Sequence, residues 1–569
     1  MTQTDNSLLD SHSASLAARL AWIFLILATL YLCYFHNLGA IGFVGPDEPR
    51  YAWIARDMVE TGDWVTPRLY GKPWFEKPPL YYWGAALSFK LFGVSEAAAR
   101  FPSALSALFA TLAMAWLAWR VYGAQTARWL LLLLPTTVGM IGFSHAAATD
   151  MPFAGTLTIA MVFAARLLGL VPESSTSFTS STSFNSFFFG FFLGLAVLAK
   201  GPAAIILVGG AVLLWAIFTS RWRDAFRCLH PVAIASFCLT ALPWYILCAR
   251  RNPDFFRIFI IEHNFKRYFT PEFQHIQPFW FYIPVILVAL FPWSIFLVPS
   301  SQRAFTTDRK SHPEWALFLF FVLWAAFPLL FFSISKSKLP GYALPSLPPL
   351  GMLIASAVTK QSLQRESSPR WPLLFTGAAL LLFGLGLQRQ SGKIPILLCA
   401  GPVCGITRIW LLAVAGGIAV AVLALLRRAR LALIALVCVT VFLVVEIDRF
   451  LPNLDPGISA RDATQAVRNV WPDFSSEKAT IWHLNRPFVY QLNFYFRRDL
   501  PEWQPQDPQS VWVFVAKDNV KAAGVLGLEC VKFAVYPAVI PCRNSASVGG
   551  LSAPGGSGSG ERRSDRQPR

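Results

Sequence analysis

Residues 20–35 read LAWIFLILATLYLCYF, sixteen side chains without a charge. About 20 apolar residues in helical form cross the hydrocarbon of a bilayer. A polar start whose one basic residue is Arg19 precedes this run, and no small-residue cleavage site follows it. The run therefore reads as a retained first membrane span, not as a secretory signal. The rest of the 569-residue chain agrees with that reading: 55% is hydrophobic, 14% is charged, and there are 48 Phe and 21 Trp. Soluble domains do not have this composition.

Moving outward, similar runs recur to residue 449. Hydropathy and length predict about 13 spans, at 17–37, 98–120, 126–144, 150–170, 184–199, 203–220, 230–249, 278–298, 314–334, 342–359, 371–388, 408–426 and 431–449. The serine-rich ESSTSFTSSTSFNS at 173–186 reads as a flexible polar loop. The net charge is +18. In a soluble protein that would suggest nucleic acid. Here there is no room for a nucleic-acid domain and the charges fall in loops, so membrane phosphates are the natural partners.

After Arg449 the composition changes. KATIWHL and SVWVFVAK read as short strands and ISARDATQAVRNVW as a helix, so 451–545 is expected to form a small α/β domain. The Gly/Ser-rich, charged tail 546–569 is expected to be disordered. The fold class is thus an α-helical polytopic membrane protein, residues 1–450, followed by a soluble α/β domain. Nine cysteines occur with no zinc-type spacing. Cys33, Cys228, Cys238 and Cys438 sit in or beside spans as packing residues. Cys399 with Cys404, and Cys530 with Cys542, are pairs that an oxidising compartment would join.

An odd number of spans puts the loop 38–97 on one face with Asp150, Lys200, the segment 250–277, the SKSKLPGY loop and the C-terminal domain. The other face receives short basic connections, SRWRDAFR, QRAFTTDRK, KQSLQRESSPR and RRAR, as the positive-inside rule asks of a cytoplasmic side. The first face also holds Arg50, Lys77, Lys266, Arg267, Lys336 and Lys338. Those cations need a reason other than topology.

GPDEPRYAWIARDMVETGDW, residues 45–64, supplies one. Pro49 suits a first helical turn and Asp47 or Glu48 the cap before it. Tyr51, Ile54, Ala55, Met58 and Val59 form an apolar stripe that Gly62 ends. The stretch reads as a helix lying on the membrane surface, with a second from about Leu80. Asp47 has two readings, an N-cap or a catalytic carboxylate kept ionised by the helix N-terminus. Glu48 is either a substrate contact or an ion-pair partner. Asp150, which opens a span in ATDMPF, leans functional because an acid so near hydrocarbon is costly. Lys200, which closes a span in AKGP, is equally well an ordinary end-of-span cation. Glu76 and His263 on one face would make a divalent-cation site, Mg²⁺ or Mn²⁺ by the carboxylate and Zn²⁺ by the imidazole. Lys336, Lys338 and Tyr342, on a chain fixed by Pro340 and Pro345, would clamp a phosphate.

Together GPDEPRYAWIARDMVETGDWVTPRLYGKPWFEKPPLYYW, SHAAATDMPF, LAKGP, EHNFKRYF and SKSKLPGYALPSLPPL closely resemble the ArnT family of aminoarabinose transferases, relatives of the protein O-mannosyltransferases in the GT-C class. The resemblance covers most of the membrane part and none of the C-terminal domain. It implies a donor of 4-amino-4-deoxy-L-arabinose on undecaprenyl phosphate, a lipid A phosphate as acceptor, a bacterial inner membrane with the site on the periplasmic face, and polymyxin resistance. It makes Asp47 the catalytic residue and implies that Arg50, Tyr51, Glu76, Lys77, Asp150, His263, Arg267, Lys336 and Tyr342 lie near the reaction centre. Beside them, Asp150 is expected as a second catalytic acid, and Glu48, Tyr81, Lys200 and Lys338 as further substrate contacts on the same face. A GT-C enzyme with another polyprenyl-phosphate sugar, or with a protein acceptor, fits almost as well. A transporter fits poorly, because transport sites lie near the midplane between repeats, and this chain gathers its charges at one face. A receptor leaves the first loop's polar cluster unexplained.

Overall fold

The computed structural model describes residues 4–172, 182–266, 276–299, 313–363, 370–391, 405–505, 510–533 and 537–544. Arg267, the Cys399/Cys404 pair and the tail 546–569 lie outside the described residues, as does most of the serine-rich loop. The last part of that loop, from Thr182, is not a loop but the first turn of a helix.

The chain divides into two compact units, Met1–Leu454 and Asp455–Arg569. The first is helical. Its leading elements are α1 (Thr4–Tyr34), α2 (Asp47–Thr61), α3 (Leu80–Phe92), α4 (Glu96–Tyr122), α5 (Ala124–Leu133), α6 (Val138–Ser144), α7 (Asp150–Leu167), α8 (Thr182–Lys200), α9 (Ala203–Thr219), α10 (Trp222–Phe226) and α11 (Pro231–Arg251). Five further long helices follow: Pro313–Ile334, Leu347–Leu363, Trp371–Ser391, Gly405–Leu425 and Ala429–Phe450. Large apolar side chains point outward along the spans, Phe24, Leu239 and Leu382 among them, each more than 60% exposed. This surface suits a lipid solvent, and the chain is a multi-span membrane protein.

Among the described residues nine helices are long and apolar enough to cross a membrane, or ten if one bent pair counts as a span. Of the 13 segments expected to span, the other four are also helical, but they are bent, shorter or more deeply buried. The segment 126–144 is the bent pair α5 and α6, turned by 61°. Pro135 interrupts it, and Thr136 and Thr137 donate their hydroxyls back to the carbonyls of Leu132, Leu133 and Leu134. The segment 278–298 is broken: an eight-residue helix, Tyr282–Ala289, is followed by a turn at Pro292 and then by the short 3-10 helix Ser294–Phe296. α7 and α9 are helices of 18 and 17 residues, and α7 is buried along most of its length.

The first loop is a folded layer at one end of the bundle. α2 packs on α3, α3 packs on α4, and a short antiparallel hairpin, β1 (Arg68–Leu69) with β2 (Lys72–Pro73), lies between them in sequence. α2 is packed on more than its apolar stripe. Tyr51, Ile54, Ala55 and Met58 of the stripe are buried, Val59 is half-buried, and Glu48, Arg50, Ala52 and Arg56 are buried on other sides. Gly62 closes it in the left-handed region (φ +73°), with its N–H on the Met58 carbonyl, a cap that favours glycine.

The second unit holds a four-stranded mixed sheet in the order β3 (Ala479–Trp482), β4 (Trp512–Ala516), β6 (Val539–Asn544), β5 (Leu528–Cys530). Only the β3–β4 pair is parallel. Both expected strands and the expected helix, observed as Arg461–Val470, are present. Cys530 and Cys542 stand opposite each other on β5 and β6 and are joined as a disulfide.

Candidate functional site

The polar residues of the first loop fall into two kinds, and Asp47 and Glu48, adjacent in sequence, belong to different ones. Neither caps α2: the cap position is Pro46, with no side-chain bond. Glu48 turns inward. Its carboxylate takes two bonds from Arg100 of α4, at 3.1 and 2.8 Å, and the backbone N–H groups of Val44 and Ala147, each at 2.7 Å. Arg100 gives its remaining donors to the carbonyls of Leu38, Ile41 and Gly42. Both side chains are buried. Glu48 thus holds the first loop, α4 and the approach to α7 together, as the ion-pair reading expects. Arg100 was missed by the sequence reading. Its signal was a lone cation inside an apolar span, which has to be paired.

Asp47 turns outward. Its side chain is 53% exposed, and one oxygen bonds the Arg50 guanidinium. Arg50 also reaches Glu76 at 3.1 Å, and Glu76 pairs through its other oxygen with Lys77, again at 3.1 Å. Trp74 lies under the Arg50 guanidinium, 5.6 Å from its centre. Arg50, Glu76 and Lys77 are each less than 15% exposed, so Asp47 is the acid of this group that faces outward. Burial works against the charge on Arg50, but Glu76 and Asp47 outweigh it and its pKa rises. Tyr51 and Tyr82 are fully buried, their rings 5.8 Å apart. Burial, and then the Glu76 carboxylate, push both phenols well above their usual pKa. Tyr81, expected among the substrate contacts, gives its hydroxyl to the Ala99 carbonyl at 2.8 Å and anchors α3 to α4.

A second polar group is built by α7 and α8, which run in opposite directions. Asp150 at the start of α7 meets Lys200 at the end of α8 at 2.6 Å. The Lys200 ammonium lies 4.6 Å from the Tyr342 ring centre and 5.3 Å from that of Phe153. Here the functional reading of Lys200 gains ground, because it is locked into an ion pair and an aromatic cage. Gly341, beside Tyr342, allows this approach. A Cβ there would stand 2.4 Å from an Asp150 carboxylate oxygen. Ala147, held by Glu48, is three residues before Asp150, so the buried Glu48–Arg100 pair supports both groups.

The other expected residues are less closely gathered. Lys336 is exposed in the loop before Pro340. Lys338 is buried, with its ammonium on the Ser335 carbonyl at 2.7 Å; burial and the neighbouring Lys336 lower its pKa. His263 is half-buried on the π-helical segment Arg257–Lys266. Glu76 already carries two cations, so a divalent ion on it would have to displace Lys77 or Arg50. Among the described residues no group of three or more His, Cys, Asp and Glu side chains is placed to hold a metal ion.

This arrangement offers paired cations, each held in place by a carboxylate, at one end of an apolar bundle. An incoming phosphate can replace those carboxylates without the cations having to reorganise.

The chain is similar to several known proteins. A family model described as dolichyl-phosphate-mannose-protein mannosyltransferase matches residues 20–259. An undecaprenyl phosphate-alpha-4-amino-4-deoxy-L-arabinose arabinosyl transferase of Edwardsiella ictaluri is 35% identical over 359 residues, 63% of this chain and 61% of the relative. One from Aeromonas salmonicida is 34% identical over 313 residues, 55% of each. The match thus spans about three-fifths of the length of these curated relatives. The crystal structure of ArnT from Cupriavidus metallidurans bound to undecaprenyl phosphate superposes with a TM-score of 0.74 at 22% identity, covering 94% of this chain and 99% of that one. Its apo form gives 0.72. The chain is a homologue of these arabinosyl transferases over the matched region and shares the ArnT fold.

Proposed function

We propose that this protein is a membrane glycosyltransferase that moves 4-amino-4-deoxy-L-arabinose from undecaprenyl phosphate to a phosphate of lipid A, at the periplasmic face of a bacterial inner membrane. The observation that carries the proposal is the Asp47–Arg50–Glu76–Lys77 network, together with the Asp150–Lys200–Tyr342 group, in a chain that matches arabinosyl transferases over 359 residues.

The chemistry follows from the charges. An oxygen of the acceptor phosphate attacks the anomeric carbon of the sugar. The bond from that carbon to the prenyl phosphate oxygen breaks, and the electron pair leaves with the phosphate. The leaving group departs as an anion and needs no proton. It needs cations, which Arg50 and Lys77 supply, with Lys200 and the Lys336/Lys338 loop as further donors. One preorganised donor of this kind contributes roughly a hundred- to a thousandfold in rate. The acceptor is already ionised, so Asp47 serves to orient it or to hold the sugar's ammonium, not to deprotonate. Arg267 is assigned to the phosphate side on the resemblance alone. A divalent cation on Glu76 and His263 belongs to the proposal only if bound phosphate draws Lys77 away, and no step above depends on it.

The family match to protein mannosyltransferases supports a second reading, in which a protein hydroxyl accepts the sugar. A hydroxyl must lose its proton, so Asp47 would then be a true base. The test is mass spectrometry of lipid A from a Gram-negative host lacking its own transferase, carrying either this gene or its Asp47→Asn form. The proposal expects an added aminopentose with the first and not with the second. Unmodified lipid A from both, with the protein in the membrane and donor lipid present, overturns it. A glycosylated protein in the same cells then supports the second reading.

A further inference from the structure

Away from the polar site, α8, α9 and α11 line an apolar cavity of about 400 Å³ that opens onto the outer surface of the bundle, where Leu213 and Ile234 are exposed. Its lining follows α9 from Ile205 to Ala216, a run of about 16 Å at the helical rise. Gly190, Phe237 and Val212 form walls, and Trp222 and Phe226 of the short helix α10 close one end. That end is the one away from Asp150 and Lys200. α7 starts at Asp150 and finishes at Leu167, and Arg221, just before α10, gives a bond to the Leu168 carbonyl at 3.1 Å. α8 and α9 border the cavity without filling it. A Cβ built on Gly209, an exposed lining residue on the open side, meets nothing within 4 Å.

The α10 end of the cavity is basic. Arg221 and Arg227 both pair with Asp224, at 2.6 and 3.2 Å, and Arg227 also reaches the Leu167 carbonyl. Arg223 is exposed on the same short helix. Three guanidinium groups against one carboxylate leave an excess of two positive charges, fixed to the C-terminal end of α7. Topology alone accounts for basic residues in such a loop. It does not account for their attachment to the mouth of an elongated apolar cavity, beside an interfacial tryptophan.

We propose that this cavity is a binding site for an anionic glycerophospholipid: one acyl chain lies along α9, and the phosphate sits among Arg221, Arg223 and Arg227. The argument is the complementarity of charge at one end and of shape along the rest. Zwitterionic lipids would gain less from the arginines, because each basic residue near an anionic headgroup contributes about a fivefold gain in binding. The site is independent of the transferase reading, since it uses none of the residues placed with the substrates.

The test uses the full-length protein purified in detergent and examined by native mass spectrometry, with phosphatidylglycerol and phosphatidylethanolamine supplied in equal amounts. The native chain is expected to keep one phosphatidylglycerol under washing that removes phosphatidylethanolamine. Gly209→Leu, which fills the cavity and favours the helix, is expected to lose it. Arg223→Gln, on an exposed residue, is expected to weaken it by about fivefold without disturbing the fold. Equal retention of the two lipids, unchanged retention in both variants, or a prenyl phosphate in place of the phospholipid overturns the proposal. Transfer to lipid A is scored separately, so failure here leaves that reading untouched.

Discussion

At the scale of single residues, the deciding contrast is between Asp47 and Glu48. Both are acids at the head of one helix. Nothing within the local sequence separates them, because the difference is made by Arg100, 52 residues further on. The same holds for Tyr81 and Tyr82. One donates to a backbone carbonyl and the other has its buried hydroxyl without a partner. This contrast gives opposite expectations for two neighbouring substitutions. Glu48→Gln leaves the Arg100 guanidinium buried against carbonyls and one amide oxygen. Breaking a buried pair from one side costs about 3–5 kcal/mol. The variant is therefore expected to reach the membrane poorly and to melt lower, while the molecules that do fold keep most of their activity. Asp47→Asn is expected to do the reverse: normal amount and melting, with lost transfer. Thermal melts of both purified variants, beside their turnover, check this. A stable Glu48→Gln protein without activity would return Glu48 to the substrate.

At the scale of elements, periodicity and length made nine of the spans legible as long apolar helices, and the other four expected segments show what an apolar average leaves out. Hydropathy averages over a window and does not register a broken backbone. Pro135 and Pro292 each leave a gap in the ladder that an apolar average hides. Nor does it separate a helix buried in the bundle, such as α7, from one that crosses in contact with lipid. The first loop was read as two surface helices, and its packing depends on polar contacts too distant in sequence to foresee. Asp63 is one of them. It accepts from the N–H groups of Val65 and Thr66, pairs with Arg68, and reaches across to Arg251 at the end of α11. Burial would raise its pKa, but the Val65 N–H, the Arg68 guanidinium and the Thr66 N–H outweigh it, and the result is a lowered value. A carboxylate with a depressed folded pKa stabilises the fold fully above its unfolded value of about 3.9 and loses that contribution as pH falls through the folded one. Amide exchange over residues 62–69, corrected for its intrinsic pH dependence, is thus expected to stay slow at neutral pH and to quicken in acid. In Asp63→Asn it should be faster already at neutral pH, with a weaker response to acid. Identical profiles for the two proteins would show that the clamp does not depend on that charge.

At the scale of the whole molecule, the two units differ in what holds them. The first rests on helices whose apolar faces meet each other or lipid, and its described cysteines, Cys33, Cys228, Cys238, Cys248 and Cys438, are free. The second is a small sheet with a modest core around Trp512, Phe514 and Leu492, and it carries the Cys530–Cys542 bond. A domain of this size buries a smaller share of its surface, so a single crosslink matters more to it. The bond joins residues 12 apart in sequence. In the chain-entropy account, closing a loop of about that length contributes about 3 kcal/mol. That is a large part of what a domain of this size has to spare. Heating the intact protein is expected to give separate transitions for the two units. Reduction, or the Cys530→Ser substitution, should lower the transition of the second unit and leave that of the first in place. The readout is scanning calorimetry with and without a reductant, the substituted protein serving to exclude other effects of the reagent. If both transitions move together, the two units unfold as one, and the stability of the membrane part depends on a bond that lies outside it.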